Sequence, residues 1–331
     1  MQGILVALLK HGVNRVKAKQ LKSDFINDQV KNLGRVAVIM GGVAAERDIS
    51  LKSGKAVFEA LKLQGVDVSL LDITEINQLI DLPKKYDRVF NIIHGRWGED
   101  GGVQAVLDAI KMPYTGSGMA SSALAMDKLR TKWLWQGLEL STPPFVIVSN
   151  YLPFVATDFT LGFPVIVKPV REGSSIGMRK ANNLQELEQA IFFAQQYDTE
   201  ILIEKWITGR EFTCAVVDGN ALPLIELKTD HEFYDFDAKY KSNNTQYLCP
   251  VILDEGLEAI IQSLCVQAFN GVGCQGWGRV DLMLDEHSQP WLIEVNTVPG
   301  MTDHSLVPMA AKAVGLSFGE LAVWLLNLTL K

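Results

Sequence analysis

Gly278-Arg279-Val280-Asp281-Leu282-Met283-Leu284, a polar turn from Asp285 to Pro290, and Trp291-Leu292-Ile293-Glu294-Val295-Asn296 form the stretch that decides how this chain is read. Two apolar runs around a short polar turn predict a β-hairpin. Side chains alternate faces along a strand, so Arg279 and Asp281 share one face of the first run, and Glu294 and Asn296 share one face of the second. Pairing symmetrically about the turn sets Leu284 opposite Trp291, Asp281 opposite Glu294 and Arg279 opposite Asn296. Directly opposed residues have β-carbons about 4.5–5.5 Å apart, and like charges there repel. A cation relieves that repulsion: hard oxygen donors suit Mg²⁺ or Mn²⁺, and magnesium commonly joins carboxylates to substrate phosphates. A solvated polar face on which Arg279 neutralises Asp281 accounts for the hairpin equally well.

Outward from the hairpin, Phe163–Val167, Glu200–Ile203 and Phe212–Val217 read as further strands, with helices around 184–196 and 255–270. Strands adjacent in sequence imply antiparallel sheets with packed helices, an α+β arrangement. The first third of the chain differs. Arg35–Met40 is an apolar strand stopped by Gly41-Gly42, and Asp48 or Ser50 is placed to cap a helix carrying Leu51, Val57, Phe58 and Leu61. Strands over Val66–Leu71 and Arg88–Ile93 follow. Alternating strands and helices predict a parallel α/β domain over 35–117. Ligands of such sheets sit beyond the carboxyl ends of the strands, where Glu46 and His94 lie. Residues 1–34 carry Lys10, Arg15, Lys17, Lys19, Lys22 and Lys31 against Asp24 and Asp28, a basic extension that is either a docking arm or sequence upstream of the domain.

The chain has 331 residues, enough for two or three domains, with 48% apolar and 21% charged residues. A net charge of −7 argues against a nucleic-acid surface. No apolar run approaches the 18 or so residues that span a bilayer, and no small-residue cleavage site follows Ile4–Leu9, so neither a membrane span nor a secretory leader is expected. Cys214, Cys249, Cys265 and Cys274 show no zinc or redox spacing and read as buried thiols of a cytoplasmic protein.

There is no G-x-x-x-x-G-K-[ST] phosphate loop. Instead Lys168 ends the run Pro164–Lys168, ahead of Arg171-Glu172-Gly173-Ser174-Ser175-Ile176-Gly177. Small residues there let backbone amides approach an anion, and a lysine supplies a point charge for phosphate. Met126-Asp127-Lys128-Leu129-Arg130 offers a second lysine. Singly, a surface lysine and a Gly-Ser turn mean little.

Together these segments resemble the ATP-grasp fold, and more specifically the D-alanine–D-alanine ligases. The blocks GGVAAERDIS (41–50), HGRWGEDG (94–101), PYTGSGMASSALAMDKLRTK (113–132) and GFPVIVKPVREGSSIGM (162–178) carry the resemblance. So do LIEKWITGREFT (202–213), FYDFDAKY (233–240), GWGRVDLM (276–283) and LIEVNTVPGMTDHSLVP (292–308), so that it spans about 35–328. It implies two ATP-grasp subdomains, 118–207 and 208–331, after the N-terminal domain. It implies that Lys128, Lys168 and Lys239 meet ATP, under a loop holding Gly173, Ser174, Ser175 and Gly177. Glu204, Lys205, Trp206 and Ile207 would hold adenine, partly through backbone groups, and Glu211 the ribose. Asp281, Glu294 and Asn296 would ligate two Mg²⁺ ions (or Mn²⁺). Glu46, with His94 nearby, would take the first D-alanine; Arg279, Gly300 and Ser305 would orient the second; Ser174 and Tyr240 would tie the site to a loop around 228–246. Tyrosine at 240 favours the dipeptide, since relatives making D-alanyl-D-lactate usually carry phenylalanine. Family members supply peptidoglycan precursors and are commonly homodimers. Trp97 and Val298 depart from the usual pattern without replacing a chemical group.

Two other classes compete. A nicotinamide-dependent oxidoreductase would use Gly41-Gly42 and Asp72, but G-x-G-x-x-G is absent and nothing after residue 160 is explained. A non-catalytic nucleotide-binding module would have no use for Asp281, Glu294, Asn296, Arg279 and Tyr240 together.

Overall fold

A computed structural model describes residues 29–149, 151–229 and 245–330. Lys239, Tyr240 and most of the predicted basic extension lie outside the described residues.

Strand β1 (Val36–Gly41) is buried along its whole length, as a strand covered on both faces must be. It pairs in parallel with β2 (Val68–Ile73) on one side and β3 (Arg88–Asn91) on the other. β2 begins two residues later than the periodicity suggests. The Val66 amide donates to the Leu61 carbonyl (3.1 Å), closing the preceding helix rather than opening the strand. β3 ends early because Asn91 Oδ1 accepts the Ile93 amide (3.1 Å) and turns the chain outward, bringing His94 off the end of the sheet. The helix Arg47–Leu63 crosses between β1 and β2, burying Val57 and Leu61. Neither predicted cap is used: Glu46 occupies the N-cap position. Ser50 lies inside the helix, where its hydroxyl accepts from Gly41 N (2.8 Å) and donates to the Ile92 carbonyl (2.7 Å). Those two bonds hold the ends of β1 and β3 together, directly beneath Glu46 and His94.

The other two sheets are antiparallel. One has the order β4-β7-β5-β6, built from β4 (Phe145–Ser149), β5 (Val165–Pro169), β6 (Arg179–Ala181) and β7 (Glu200–Lys205). The helix Leu184–Ala194 covers it through Leu187, Ala190 and Ile191, and Asn183 caps that helix by accepting the Glu186 amide. The second comprises β8 (Gly209–Val217), β9 (Asn220–Ala221), β10 (Ile225–Lys228), β11 (Gln246–Leu248), β12 (Trp277–Asp285) and β13 (Pro290–Asn296). Its order is β11-β10-β8-β12-β13, with β9 beside β8. The helices Lys128–Gly137 and Glu255–Gly271 back it with Trp135, Ile261 and Phe269, against Val280 and Leu292. Lys228 pairs with Gln246, so the two ends of the segment carrying Lys239 and Tyr240 are fastened side by side.

The predicted hairpin is β12–β13, with Asp281 opposite Glu294 and Arg279 opposite Asn296. Near the turn the symmetric count fails: Leu284 faces Pro290, not Trp291, and the register shifts by one between Asp281 and Leu282. A β-bulge that leaves Ile293 without a partner absorbs the extra residue.

The two ends of the chain share a core. Leu33, Val38 and Phe90 cluster with Val217 and Trp277, and with Val307 and Leu325 of the closing helices Leu306–Ala313 and Phe318–Asn327. Among the described residues no single helix is long and apolar enough to cross a membrane. The final part of the stretch expected to be an extension is thus structural, with Leu33 wholly buried and its carbonyl accepting from Arg88 Nε. Replacing Leu33 by alanine is expected to destabilise the fold by about 2–5 kcal/mol, read as a lower urea midpoint. Val43→Ala, at a site 68% exposed, should leave the midpoint nearly unchanged.

Candidate active site

The two antiparallel sheets face each other across a cleft of about 650 Å³, within the range of small-ligand sites. Lys168, Glu204, Trp206, Glu211, Asp281 and Glu294 all border it, from segments up to 126 positions apart (168 to 294). Lys205, Ile207 and Ser175 line it too. A larger groove, about 830 Å³, lies between Tyr114 and Gln275 and contains none of the predicted site residues. Volume alone would have pointed to the wrong place; convergent charge identifies the cleft.

On the floor of the cleft, Arg279 donates to both oxygens of Asp281, from Nε at 2.8 Å and from Nη2 at 2.7 Å. Thr213 on β8 donates to Asp281 Oδ1 at 2.6 Å. Lys128, at the start of its helix and almost buried, reaches Glu294 Oε2 at 3.4 Å and donates to the Glu172 carbonyl at 2.6 Å. One ammonium therefore ties the hairpin to the 171–177 loop. Asn296 accepts the Val298 amide at 3.2 Å. Two carboxylates and an amide oxygen on one strand face are hard donors of the kind Mg²⁺ takes. Among the described residues no three His, Cys, Asp or Glu side chains gather as a metal group.

On the roof, each oxygen of the Glu204 carboxylate forms an ion pair, one with Lys132 and the other with Lys168. Burial pushes Glu204 up, but Lys132 and Lys168 outweigh it and hold the carboxyl below its usual range. Burial also pulls Lys132 down, to about 8. Lys205, Trp206 and Ile207 line the cleft beside Glu204. Lys180 stacks over the Trp206 ring, 4.3 Å from its centroid.

At the mouth, Glu46 meets the loop. It is only 6% exposed, and Ser174 donates a hydrogen bond to it. Burial, then the nearby Glu99 charge, raises its pKa. Glycines make the approach possible: a β-carbon on Gly95 would lie 2.3 Å from Glu46 Oε2, and one on Gly173 would lie 2.9 Å from Oε1. Ser174, Ser175 and Gly177 all have positive φ, so the loop is held in a conformation that side-chain-bearing residues rarely adopt. His94 Nδ1 donates to the Val298 carbonyl (2.9 Å), and Nε2 shares a hydrogen bond with Ser53 Oγ (3.1 Å), which sets the ring between the N-terminal domain and the C-terminal loop. In that loop Ser305 Oγ accepts the Thr302 amide at 2.9 Å, and a β-carbon on Gly300 would lie 3.2 Å from it.

The structure thus gathers Glu46, His94 and Ser174 at one end; Lys168, Asp281 and Glu294 border the cleft, with Lys128 against Glu294 and Arg279 against Asp281. Sequence reasoning passed over Lys132, Glu99, Thr213 and Glu172. Lys132 carried a signal, because a residue four positions after Lys128 shares its helix face. The other three are placed by strand pairing and loop folding, which leave no local trace.

Two antiparallel α+β sheets closing on a cleft with lysines above and opposed carboxylates below have the architecture of the ATP-grasp enzymes. Known proteins make the class narrower. A family model described as D-ala D-ala ligase N-terminus matches residues 77–117, and one described as D-ala D-ala ligase C-terminus matches 134–327. The D-alanine–D-alanine ligase of Hydrogenovibrio crunogenus is 66% identical over 308 residues, covering 93% of this chain and 98% of that one. That of Methylococcus capsulatus is 55% identical over 296 residues, covering 89% and 96%. Among solved structures, the D-alanine–D-alanine ligase of Bacillus anthracis complexed with ATP is similar at a TM-score of 0.80, with 30% identity and 90% and 97% coverage. VanG, a D-Ala:D-Ser ligase of Enterococcus faecalis, is similar at 0.80 and 30%, with 89% and 99% coverage. The chain belongs to the D-alanine–D-alanine ligase family.

Gly95→Ala places a methyl group where the Glu46 carboxylate sits. It is expected to lower kcat/KM for D-alanine at least about tenfold in protein still folded at the assay temperature, with a lower thermal midpoint because Gly95 holds φ 73°. Unchanged kinetics would show that Glu46 does not need its present position.

Proposed function

We propose that this ATP-dependent ligase, which joins two D-alanines, holds the first of them by its ammonium on Glu46 and activates its carboxylate in the cleft below. The observation that carries this reading is the Glu46–Ser174 contact. It places a carboxylate, raised in pKa by burial and then by the nearby Glu99 charge, against the loop that closes over the phosphates. An arriving ammonium supplies a positive charge beside that carboxylate.

A carboxylate is a poor electrophile with a poor leaving group. Moving the γ-phosphoryl of ATP onto it gives an acyl phosphate; the second D-alanine amine then attacks, and phosphate departs as the peptide bond forms. Lys128 and Lys168 offset the repulsion between triphosphate and carboxylate. Asp281, Glu294 and Asn296 fit two Mg²⁺ (or Mn²⁺), which when bound would neutralise phosphate charge and polarise the transferring group. Arg279, fixed in orientation by its two bonds to Asp281, donates to the tetrahedral oxyanion. Losing one such donor typically costs about 10²–10³ in rate. The 173–177 loop keeps water from the acyl phosphate. Trp206 and Ile207 pack on adenine, backbone groups of 204–207 bond its edge, Glu211 binds ribose, and Lys239 adds charge over the phosphates. Ser305 and the Gly300 backbone orient the second D-alanine, with Tyr240 closing on Ser174. The cleft lining and the family resemblance support the roles of 204–207 and Glu211; those of Lys239, Tyr240, Gly300 and Ser305 rest on the resemblance. The same resemblance supports a cytoplasmic homodimer that supplies peptidoglycan precursors.

The deciding assay measures phosphate release from ATP and Mg²⁺ with D-alanine, L-alanine, D-alanine plus D-serine, or D-alanine plus D-lactate, with products identified by mass. Release with D-alanine alone, yielding the dipeptide, is the expected result; a preference for the mixed product would move this chain toward the D-Ala:D-Ser type. Asp281→Asn and Glu294→Gln are each expected to lower kcat at least about 10²-fold in folded protein, and wild-type rates in both would remove the metal assignment.

A further inference from the structure

Lys132 is wholly buried, yet the reaction scheme gives it no work. A lysine is almost never buried unless it is paired, and this one is held on three sides. Its ammonium pairs with Glu204 of β7, donates to Thr142 Oγ1 at 2.7 Å, and lies 3.4 Å from the Leu292 carbonyl of β13. It also sits one helical turn after Lys128, on the helix that delivers that lysine to Glu294. Glu204 is shared: its other oxygen pairs with Lys168. The three side chains form a buried row of cation, anion and cation with a net charge of +1 (two lysines less one carboxylate). Only Lys168, at the cleft-lining end, is placed to present that charge to a ligand, for Lys132 does not border the cleft.

We infer that Lys132 is a positioning residue for ATP: by carrying half the counter-charge of Glu204, it leaves the Lys168 ammonium net positive toward the triphosphate. The inference rests on the reading of the cleft as the ATP site and of Lys168 as a phosphate ligand. Without Lys132, Glu204 and Lys168 would form a neutral pair and Lys168 would turn inward. Without both Lys132 and Glu204 charges, Lys168 would stand alone with its +1 restored. A buried pair replaced by neutral groups is commonly tolerated, whereas a single broken partner is not. A role in packing alone predicts the opposite ordering, since each added substitution would do further damage.

The test is a charge-balance cycle on the full chain, reading KM for ATP and kcat at saturating D-alanine and Mg²⁺, with thermal unfolding to confirm folded protein. K132M is expected to raise KM for ATP about 10–100-fold, the size of a lost charge-assisted contact, with a smaller change in kcat. Adding E204Q to K132M is expected to bring KM back to within about threefold of wild type. K132R, which keeps the charge, is expected to stay near wild type. If K132M does not fold, K132Q, which keeps a hydrogen-bonding group toward Thr142, takes its place in the same comparison. K168M is the control for the underlying reading. If K168M raises KM and K132M does not, or if the double variant is no better than K132M, the inference is overturned while the ATP site stands. If K168M itself leaves KM unchanged, the assignment of Lys168 to phosphate fails, and the inference with it.

Discussion

A strand has two faces, and a slip of one residue exchanges them. The working face of the β12–β13 hairpin depends on that constraint more than on any single bond. Around the turn the pairing runs Leu284–Pro290, Met283–Trp291, Leu282–Leu292. Continued unbroken, it would set Asp281 against Ile293 and Val280 against Glu294, pairing each carboxylate with an apolar residue. The bulge at Ile293 removes the mismatch, so that Asp281 meets Glu294 and Arg279 meets Asn296. Bulges recur beside active sites because they re-aim a side chain without disturbing the rest of a sheet.

Once two carboxylates are opposed, charge balance dictates much of what surrounds them. Asp281 is met by Arg279 and Thr213, and Glu294 by Lys128. Across the cleft, Lys132 and Lys168 divide one carboxylate between them. Neither set lies in bulk water, where such pairs contribute little; in the partly dry cleft the same contacts orient their groups before substrate arrives. Arg279 is the clearest case. Fixed by both oxygens of Asp281, its guanidinium plane is set by strand geometry rather than by ligand.

Much of this was legible in the sequence, and the reasons are physical. Alternation along Arg279–Leu284 and Trp291–Asn296 exposed the shared face, and the run Arg35–Met40 read as a fully buried strand. The opposition of Asp281 and Glu294 came out right although the count behind it began from a pair that does not form. The strands β4, β6 and β11 escaped because they lie at sheet edges and are short. An edge strand of three to five residues is too short for a period to show, whereas β13, also at an edge, runs for seven. β10 was missed although interior; it has only four residues, three of them buried in succession, and so no alternation. The ion-pair partners of the Glu204 side chain were hidden for a different reason. The resemblance points to adenine at this stretch, whereas the carboxylate faces Lys132 and Lys168, and that choice belongs to the packing of helix Lys128–Gly137 against β7. Nothing local to residue 204 could reveal it.

The same packing explains how a catalytic loop can be both strained and ordered. Ser174 and Ser175 hold positive φ, a conformation costing of order 1–3 kcal/mol per residue. The loop is anchored at its base by Arg171, which bonds both oxygens of Asp198, at 3.2 and 2.6 Å, and reaches Glu200 at 2.9 Å. Arg130 reaches Glu200 as well, at 2.8 Å, and joins it to Asp127, the cap of the helix that carries Lys128. Loop base and the start of the helix that carries Lys128 are therefore one ion-paired frame. The loop tip is tied in turn to the opposite domain through Ser174 and Glu46. Strain fixed at both ends positions the small residues of the tip instead of melting them. In the function proposed above, that Glu46 end is also where the first substrate's ammonium would arrive.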